Sequence, residues 1–400
     1  MSMQKTSVPK LKLEVTPIVR SAEGISAERS IVLRYCERVG LAESHLLSQT
    51  SIQEGVRTFP LLTHRDVEIH ILDETSLMHT NSFKAIDGAV TAARCLAMGL
   101  DKVVVESGGN TGSALTSYCS KVGIKAYCFV PERNLPNIDH SVFSHRNAHL
   151  IAVKDRHQVK QVAGRFSRSH DLYRVPNLDW RFDAAKFRGH YLIELFQELF
   201  PFDVFAQSIS AAFGPIGIYR TLAAELPQGR LPRFLGVQQE ENCPMFRSWN
   251  SARGRELPPV SADVSLLIDT MYDRNPETYG TWEDLSALLT RTGGDLTTVN
   301  RGEFEAMLER EFEGARISER LADCGLVLTQ RDGELVEKAG MVAITGLIKQ
   351  IDAGAVEAGS RVLCSVSGGT RKIDAISQPL AFIDSPEEVD RVSPRSLSRD

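Results

Sequence analysis

The stretch KVVVESGGNTGSALTSYCSKVGIKAYCFVP, residues 102–131, decides the fold of this 400-residue chain. A run of valines comes first, a segment of helical character follows and ends at Gly123, and a second apolar run closes the stretch. Strand, helix and strand in about thirty residues are typical of a βαβ unit with parallel strands. The alternation continues in HLIAV (149–153), RHQVKQVAGRF (156–166) and LYRVP (172–176).

A second series of the same kind follows this one. Its strands are predicted at DVFAQSIS (203–210), RFLGVQ (233–238) and RVLCSVSGG (361–369), and its helices at YLIELFQELF (191–200), IYRTLAAEL (218–226) and GMVAITGLIKQID (340–352). The turn FGPIG (213–217) joins a strand to a helix. Two such series predict an α/β fold with twisted, mostly parallel sheets flanked by helices.

We therefore expect two domains and a tail. The larger domain comprises 1–75 and 185–385, and the smaller α/β domain comprises 76–184. Residues 242–300 have the composition of an irregular insertion, and 386–400 that of a polar, disordered tail.

The composition excludes several classes of protein. A net charge of −5 argues against general binding to nucleic acid or to an anionic membrane, so an anionic ligand must be met by placed arginines or helix ends. The seven cysteines form no CxxC pair, which favours reduced thiols in the cytoplasm and no metal site. No apolar run predicts a signal sequence or a membrane span.

The segment TNSFKAIDGAV (80–90) places Lys84 at the mouth of an apolar helix. The positive end of the helix dipole disfavours a lysine charge there, and burial would lower the pKa of the amine further. A neutral amine can act as a nucleophile. A solvated lysine in a first helical turn is the alternative.

Three glycine-containing segments follow predicted strands: ESGGNTGSAL (106–115), FGPIG, and CSVSGGTRKID (364–374). Free N–H groups at such helix starts suit a phosphate. A dinucleotide-binding loop is a rival interpretation of the first segment, and Glu132 lies near the distance of a ribose-binding acid. Asn110, however, replaces the middle glycine of that motif.

Taken together, DETSLMHTNSFKAID (73–87), SGGNTG (107–112), FGPIG, VEKAG (336–340) and SVSGG (365–369) resemble the fold-type II pyridoxal-phosphate enzymes, the family of threonine synthase and tryptophan synthase β. The resemblance implies that pyridoxal 5'-phosphate (PLP) is bound and that Lys84 is its Schiff-base lysine. It also implies that Asn110 meets the phenolic oxygen, FGPIG the phosphate and Ser367 the ring nitrogen. The implied cofactor-binding residues are Lys84, Phe83, Asn110, Gly214, Pro215, Ile216, Gly217 and Ser367.

The chain also departs from the family pattern. Ala85 and Ile86 follow the lysine where the family has Asp-Arg, and Pro215 removes one N–H donor from the phosphate loop. Where the family often has Gly-Gln-Lys-Thr, this chain has Phe-Arg-Gly-His at 187–190. These changes affect the predicted phosphate and substrate contacts.

Within the family the chain resembles the cysteate-synthase-like branch of the threonine synthases, on residues 237–259 and 278–304. The resemblance implies β-replacement or elimination on an O-phosphorylated amino acid, namely O-phospho-L-serine with sulfite to L-cysteate and phosphate. Arg188 could clamp an oxyanion in two hydrogen bonds, or form an ion pair at the surface. The implied substrate-binding residues are Thr80, Ser82, Ser107, Gly108, Thr111, Arg188 and His190.

Other functions remain open at this stage. Threonine synthase acting on O-phosphohomoserine and a serine or threonine dehydratase are alternatives within the family. A nicotinamide-dependent oxidoreductase and a catalytically inactive amino-acid sensor are alternatives of other classes. The partners expected are a small amino acid and a second copy of the chain, because a homodimer is the family habit.

Overall fold

The computed structural model describes residues 30–175, 177–227, 229–258, 265–272, 281–326, 328, 330–331, 334–335, 337–368 and 377–394. The helices are α1 Ile31–Val39, α2 Leu47–Thr50, α3 Lys84–Ala97, α4 Asn110–Lys121, α5 Val159–Ser169, α6 Leu178–Glu194, α7 Phe213–Glu225, α8 Pro244–Ala252, α9 Thr281–Thr292, α10 Arg301–Glu309, α11 Ile317–Asp323 and α12 Ala339–Asp352. The strands are β1 Arg57–His64, β2 Val67–Asp73, β3 Lys102–Glu106, β4 Lys125–Pro131, β5 Ala148–Val153, β6 Tyr173–Val175, β7 Val204–Ser208, β8 Arg233–Gln239, β9 Asp295–Val299, β10 Glu311–Phe312, β11 Ala315–Arg316, β12 Gln330–Arg331, β13 Glu334–Leu335, β14 Arg361–Val366 and β15 Ala381–Ile383.

Two sheets carry the fold, as the two series of alternating segments predict. The larger has six strands in the order β1-β2-β14-β7-β8-β9, and every pair except β1 with β2 is parallel. The smaller has five strands in the order β15-β5-β4-β3-β6, all parallel. The prediction of mostly parallel sheets flanked by helices is confirmed.

Burial explains why the central strands form where the sequence predicts them. All of β5 and β7 is buried, and so is nearly all of β4 and β8, because helices cover both faces of a parallel sheet. Their segments rich in Val, Ile, Leu, Phe and Ala fit that environment. Among the described residues, no helix combines the length and the apolar character needed to cross a membrane.

The segment 242–300 is more ordered than its composition predicts. It contains α8, α9 and the edge strand β9, while 259–264 and 273–280 lie outside the described residues. Leu285, Leu288 and Leu289 of α9 are buried at helical spacing, and DLTTV of β9 pairs with β8. The expectation of an irregular insertion was therefore wrong for these elements, because tertiary packing overrides a weak local pattern.

The end of the chain also differs from its expected placement. β15, assigned to the larger domain by the sequence, pairs with β5 of the smaller sheet. The following 3₁₀ helix Glu388–Arg391 buries Val389 completely and holds Asp390 in an ion pair with Arg165 of α5. The expected disorder is therefore contradicted for residues up to 394, and 395–400 lie outside the described residues. The division at residues 76 and 184 stays a prediction.

Candidate active site

A single cleft of about 1430 Å³ opens at the carboxyl ends of strands from both sheets. Ser107 follows β3, Pro131 ends β4, Ser208 ends β7 and Ser367 follows β14, and all of these residues line the cleft. Ligands of parallel α/β sheets bind at this edge, because loops there can approach a ligand without disturbing the sheet. The cleft is therefore the candidate active site.

Lys84 is the first residue of α3 and lines this cleft. Its Nζ lies 3.0 Å from Oδ2 of Asp87, one turn further along the helix, and 4.2 Å from the ring centre of Phe83. Burial lowers the pKa of the Lys84 amine, and the positive charges of Arg181 and Arg188 lower it too, while the Asp87 carboxylate acts in the opposite direction. The result is an amine with a depressed pKa, suited to nucleophilic and proton-transfer chemistry.

The second side of the cleft is formed where α4 begins. Asn110 is the first residue of α4, and its Nδ2 donates a hydrogen bond of 2.8 Å to the carbonyl oxygen of Gly368. This bond joins a helix of the smaller sheet to the end of β14 in the larger one. Asn110 and Ser367 consequently face the same space as Lys84.

Glu337, just before α12, lies at the same end of the cleft. Its carboxylate accepts hydrogen bonds from the Gly340 N–H at 3.0 and 3.1 Å and is almost wholly buried. Burial raises the pKa of Glu337 to about 7, although the surrounding backbone N–H groups act in the opposite direction. The sequence comparison with VEKAG singled out this segment without assigning the carboxylate a role.

The FGPIG segment is the first part of a helix and not a separate turn. α7 begins at Phe213, and the preceding Ala212 adopts the left-handed conformation, with φ of 59°. Phe213, Gly214 and Pro215 line the cleft. A helix start leaves N–H groups without partners inside the helix, which suits an anion.

Gly217, by contrast, faces α6. A Cβ at position 217 would lie 2.5 Å from the Cβ of Ala185 and 2.9 Å from the carbonyl oxygen of Phe182. The glycine thus allows α6 and α7 to pack closely, and neither Gly217 nor Ile216 lines the cleft. Within the segment 213–217, only the first three residues line the cleft.

Arg188 of α6 is 2% exposed and pairs with Glu74, which is 1% exposed. Its Nε and Nη2 donate to the two carboxylate oxygens of Glu74, each at 2.5 Å. Nη2 also donates to Oε1 of Gln207 at 3.0 Å. Arg188 is therefore neither a surface ion pair nor a side chain that lines the cleft, although it contacts Phe83, which does.

The other predicted substrate residues divide into two groups. Four line the cleft, namely Ser82, Ser107, Gly108 and Thr111. Thr80 and His190 are both buried and do not line the cleft, and Nδ1 of His190 lies 3.0 Å from Oε1 of Glu225. Burial lowers the pKa of His190. The predicted role of Thr80 and His190 in substrate binding stays a prediction.

Sequence reasoning missed most of the charge in the cleft. Among the residues that the structure describes, six basic side chains besides Lys84 line it, namely Arg156, Lys160, Arg174, Arg181, Arg301 and Lys338. The acidic side chains in the same described lining are Glu106, Asp269 and Glu337. Arg174 could have been found from the sequence, because it lies in a predicted parallel strand whose carboxyl end points towards the cleft. Arg181 could not, because it belongs to a helix whose orientation the sequence does not reveal.

Comparison with known proteins assigns the class. Residues 52–368 match the family of pyridoxal-phosphate dependent enzymes, and the chain belongs to that family. Among the relatives is a cysteate synthase of Methanocorpusculum labreanum, 21% identical over 72% of this chain and 69% of that protein. A threonine synthase of Mycobacterium bovis is 26% identical over 81% of this chain and 83% of that protein.

The solved structures agree with this assignment at the level of the fold. Diaminopropionate ammonia lyase from Escherichia coli superposes with a TM-score of 0.58 at 12% identity, covering 86% of this chain and 91% of that one. The fold is therefore that of the fold-type II PLP enzymes, and the protein is a PLP-dependent enzyme.

The residues of the cleft fit PLP as its cofactor. A lysine with a lowered pKa, an asparagine amide, a helix start and a serine hydroxyl open into one space. Lys84 would hold the cofactor covalently, the start of α7 its phosphate and Ser367 its ring nitrogen. The donor set matches an aldehyde, a phosphate and a neutral ring nitrogen.

Proposed function

We propose that this enzyme catalyses β-replacement or elimination on an O-phosphorylated amino acid. The best candidate reaction converts O-phospho-L-serine and sulfite to L-cysteate and phosphate. The observation that carries the proposal is a group of basic side chains beside Lys84 in the cleft, in a protein whose overall charge is negative.

This group is centred on Glu106 at the end of β3. Burial raises the pKa of Glu106, and Arg174, Lys160 and Arg181 oppose that shift, so all three cations lie close to one carboxyl. Nη1 of Arg174 is 3.6 Å from Oε2 of Glu106. Guanidinium and ammonium groups close to the lysine of the cleft suit a dianionic phosphate and, in turn, sulfite.

Arg181 connects this group to the catalytic lysine. It lowers the pKa of Lys84 by its charge, and its guanidinium lies 4.8 Å from the ring centre of Phe213 at the start of α7. We assign to Arg181 the substrate oxyanion contact that the sequence analysis assigns to Arg188, because Arg181 lines the cleft. Ser82 and Ser107 are hydrogen-bond donors on the same lining.

The proposed chemistry uses few residues of the chain. PLP, when bound, withdraws electrons from the substrate Cα and so acidifies its proton. Lys84, once released as a neutral amine, accepts that proton, and Asp87 stabilises the ammonium that results. Arg181, Arg174 and Lys160 then stabilise the phosphate that leaves Cβ. A neutral hydroxyl at Ser367 favours elimination over transamination, because it does not keep the ring nitrogen protonated.

The test is phosphate release from O-phosphoserine by the purified holoenzyme, with and without sulfite, with cysteate identified by mass spectrometry. Arg181→Gln should raise KM for phosphoserine. Arg220→Gln, which removes an exposed ion pair between Arg220 of α7 and Asp284 of α9, should leave this KM unchanged. Threonine formed from O-phosphohomoserine, with phosphoserine inert, would overturn the proposal in favour of threonine synthase. A 2-oxo acid formed from unphosphorylated serine or threonine would point to a dehydratase.

We also propose a homodimer in the cytoplasm, following the habit of the family. Light scattering coupled to size-exclusion chromatography should give twice the mass of one chain.

A further inference from the structure

We propose that Arg188 is a cofactor-positioning residue whose Nη1 donates a hydrogen bond to the phosphate of PLP at the start of α7. The inference depends on the cofactor of the family and not on the amino-acid substrate. The sequence analysis considered Arg188 as a residue that binds the substrate oxyanion. The inference assigns it instead to the phosphate of the cofactor.

The first observation is an unused donor. A guanidinium carries five N–H groups, and those on Nε and Nη2 are directed at Glu74 and Gln207. Nη1 is buried and has no hydrogen-bond partner among the described residues. A buried donor without an acceptor is destabilising, so the presence of Nη1 here indicates an acceptor other than the described residues of the chain.

The contact with Phe83 does not satisfy this donor. The guanidinium carbon of Arg188 lies 4.4 Å from the centre of the Phe83 ring. A cation–π contact is an attraction between the positive charge and the ring, and it supplies no oxygen acceptor for a directed N–H. The aromatic contact therefore helps to hold the guanidinium in place and leaves the Nη1 hydrogens to a different partner.

The position of Gly214 shows where Nη1 lies. A Cβ at position 214 would be 2.7 Å from Nη1 of Arg188, so the guanidinium occupies the space that a side chain would need. Gly214 lies in the first turn of α7 and lines the cleft. The glycine thus brings Nη1 to the helix start where N–H groups and the helix dipole already favour an anion.

The surrounding pairs make this donor rigid. Oε2 of Glu74 also accepts a hydrogen bond of 2.6 Å from Oγ of Ser365 in β14, which anchors the carboxylate to the larger sheet. Glu74 balances most of the charge of Arg188. The guanidinium can therefore offer the N–H of Nη1 to a ligand without placing an unpaired charge in the interior. The arginine also compensates for the N–H that Pro215 lacks at this helix start.

The experiment compares the binding of PLP with that of pyridoxal, which has no phosphate, to the cofactor-free protein. The variants are Arg188→Lys, which keeps a charge beside Glu74 but lacks Nη1, and the double variant Arg188→Gln/Glu74→Gln, which leaves no unpaired buried charge. The matched control is Arg94→Gln/Asp183→Asn, a pair at 2.6 Å between α3 and α6 that does not line the cleft. Thermal unfolding of each cofactor-free protein checks that it folds.

Both Arg188 variants should bind PLP roughly ten- to a hundredfold more weakly, as expected for one hydrogen bond to a charged group, and bind pyridoxal as the wild type does. The ³¹P resonance of bound PLP should shift in these variants and not in the control. Equal losses of PLP and pyridoxal affinity, or unchanged PLP affinity in a folded variant, would overturn the inference. Arg188→Lys decides the matter alone if the double variant does not fold, and neither result depends on which substrate is turned over.

Discussion

Nζ of Lys84 lies 3.0 Å from Oδ2 of Asp87, one turn along the same helix, in a cleft where burial disfavours the lysine charge. The two influences on the amine are therefore opposed. Burial and two arginines favour the neutral, nucleophilic amine, and Asp87 favours the ammonium. An amine in such a balance can take a proton from a substrate and return it.

Lys84 should carry the cofactor. Borohydride reduction of the holoenzyme followed by peptide mapping should label Lys84, because it is the lysine at the start of α3 beside Asn110 in the cleft. Lys84→Ala should lose the visible absorbance and all turnover, whereas Lys121→Ala, at the exposed end of α4, should keep both. Label on a different lysine would refute the assignment.

Asp87→Asn should shift the pH dependence of cofactor capture. Loss of the carboxylate removes the influence that raises the pKa of Lys84, so a larger fraction of the amine is neutral at a given pH. The rate at which the cofactor-free protein takes up PLP should therefore rise to its plateau at lower pH than in the wild type. Asp183→Asn, whose carboxylate pairs with Lys186 at 2.6 Å on α6, serves as the control. A profile unchanged from the wild type would show that Asp87 does not influence Lys84.

Glu337 should make stability depend on pH between about 4.5 and 7. Burial raises its pKa from 4.5 to about 7 in the folded protein, so the folded state binds an extra proton across this window. The contribution is fully present below pH 4.5 and is lost as the pH rises through 7, at up to about 1.4 kcal/mol per pH unit.

Chemical unfolding of cofactor-free wild type and Glu337→Gln across this range measures that contribution. The difference in unfolding free energy, wild type minus variant, should fall as the pH rises. Glu309→Gln, an exposed residue of α10, should leave the pH dependence unchanged. A constant difference for Glu337→Gln would mean that its carboxyl titrates normally.

Gly217→Ala should destabilise the fold and spare the cofactor. The new Cβ would lie 2.5 Å from that of Ala185, so α6 and α7 must separate, at a cost of about 1–3 kcal/mol. Gly302→Ala in α10 is the control, because the nearest atom to its added Cβ, Oδ1 of Asn300, is 3.5 Å away. Unfolding free energy and PLP affinity are the measurements. A large loss of PLP affinity with unchanged stability would return Gly217 to the phosphate site.

The sheets could be predicted well from the sequence, because buried parallel strands are nearly continuous runs of apolar residues. VVV at 103–105 and AYCFV at 126–130 are unbroken apolar runs, and each became a buried strand. It predicted β9 and α9 poorly, because DLTTV at an edge and the spaced leucines of α9 are ordinary in composition. Their order comes from packing against β8 and α7, which no local pattern encodes.

The candidate active site could also be predicted only in part from the sequence. Lys84, Asn110 and Ser367 follow from position, because the ends of parallel strands and the starts of the next helices meet at one edge. Arg188 and Arg181 belong to the same helix, and the sequence cannot say which of them faces the cleft. The structure places Arg181 in the lining and Arg188 behind Phe83 with Glu74. That distinction requires the rotation of α6 about its axis, which the sequence does not reveal because apolar and charged residues are spread around the whole helix.

The hydrogen bond from Asn110 to Gly368 fixes the orientation of the Asn110 amide in the cleft without any ligand. A carbonyl oxygen accepts and cannot donate, so the amide nitrogen of Asn110 must face Gly368 and cannot exchange places with its oxygen. Nδ2 carries a second hydrogen, held by the same fixed amide plane. Any ligand atom that meets this hydrogen must be an acceptor, and an anionic oxygen gains most from it. Asparagine and aspartate have the same shape, yet a carboxylate here would repel both the carbonyl oxygen of Gly368 and an anionic ligand oxygen, so the amide of Asn110 favours a ligand acceptor at this end of the cleft.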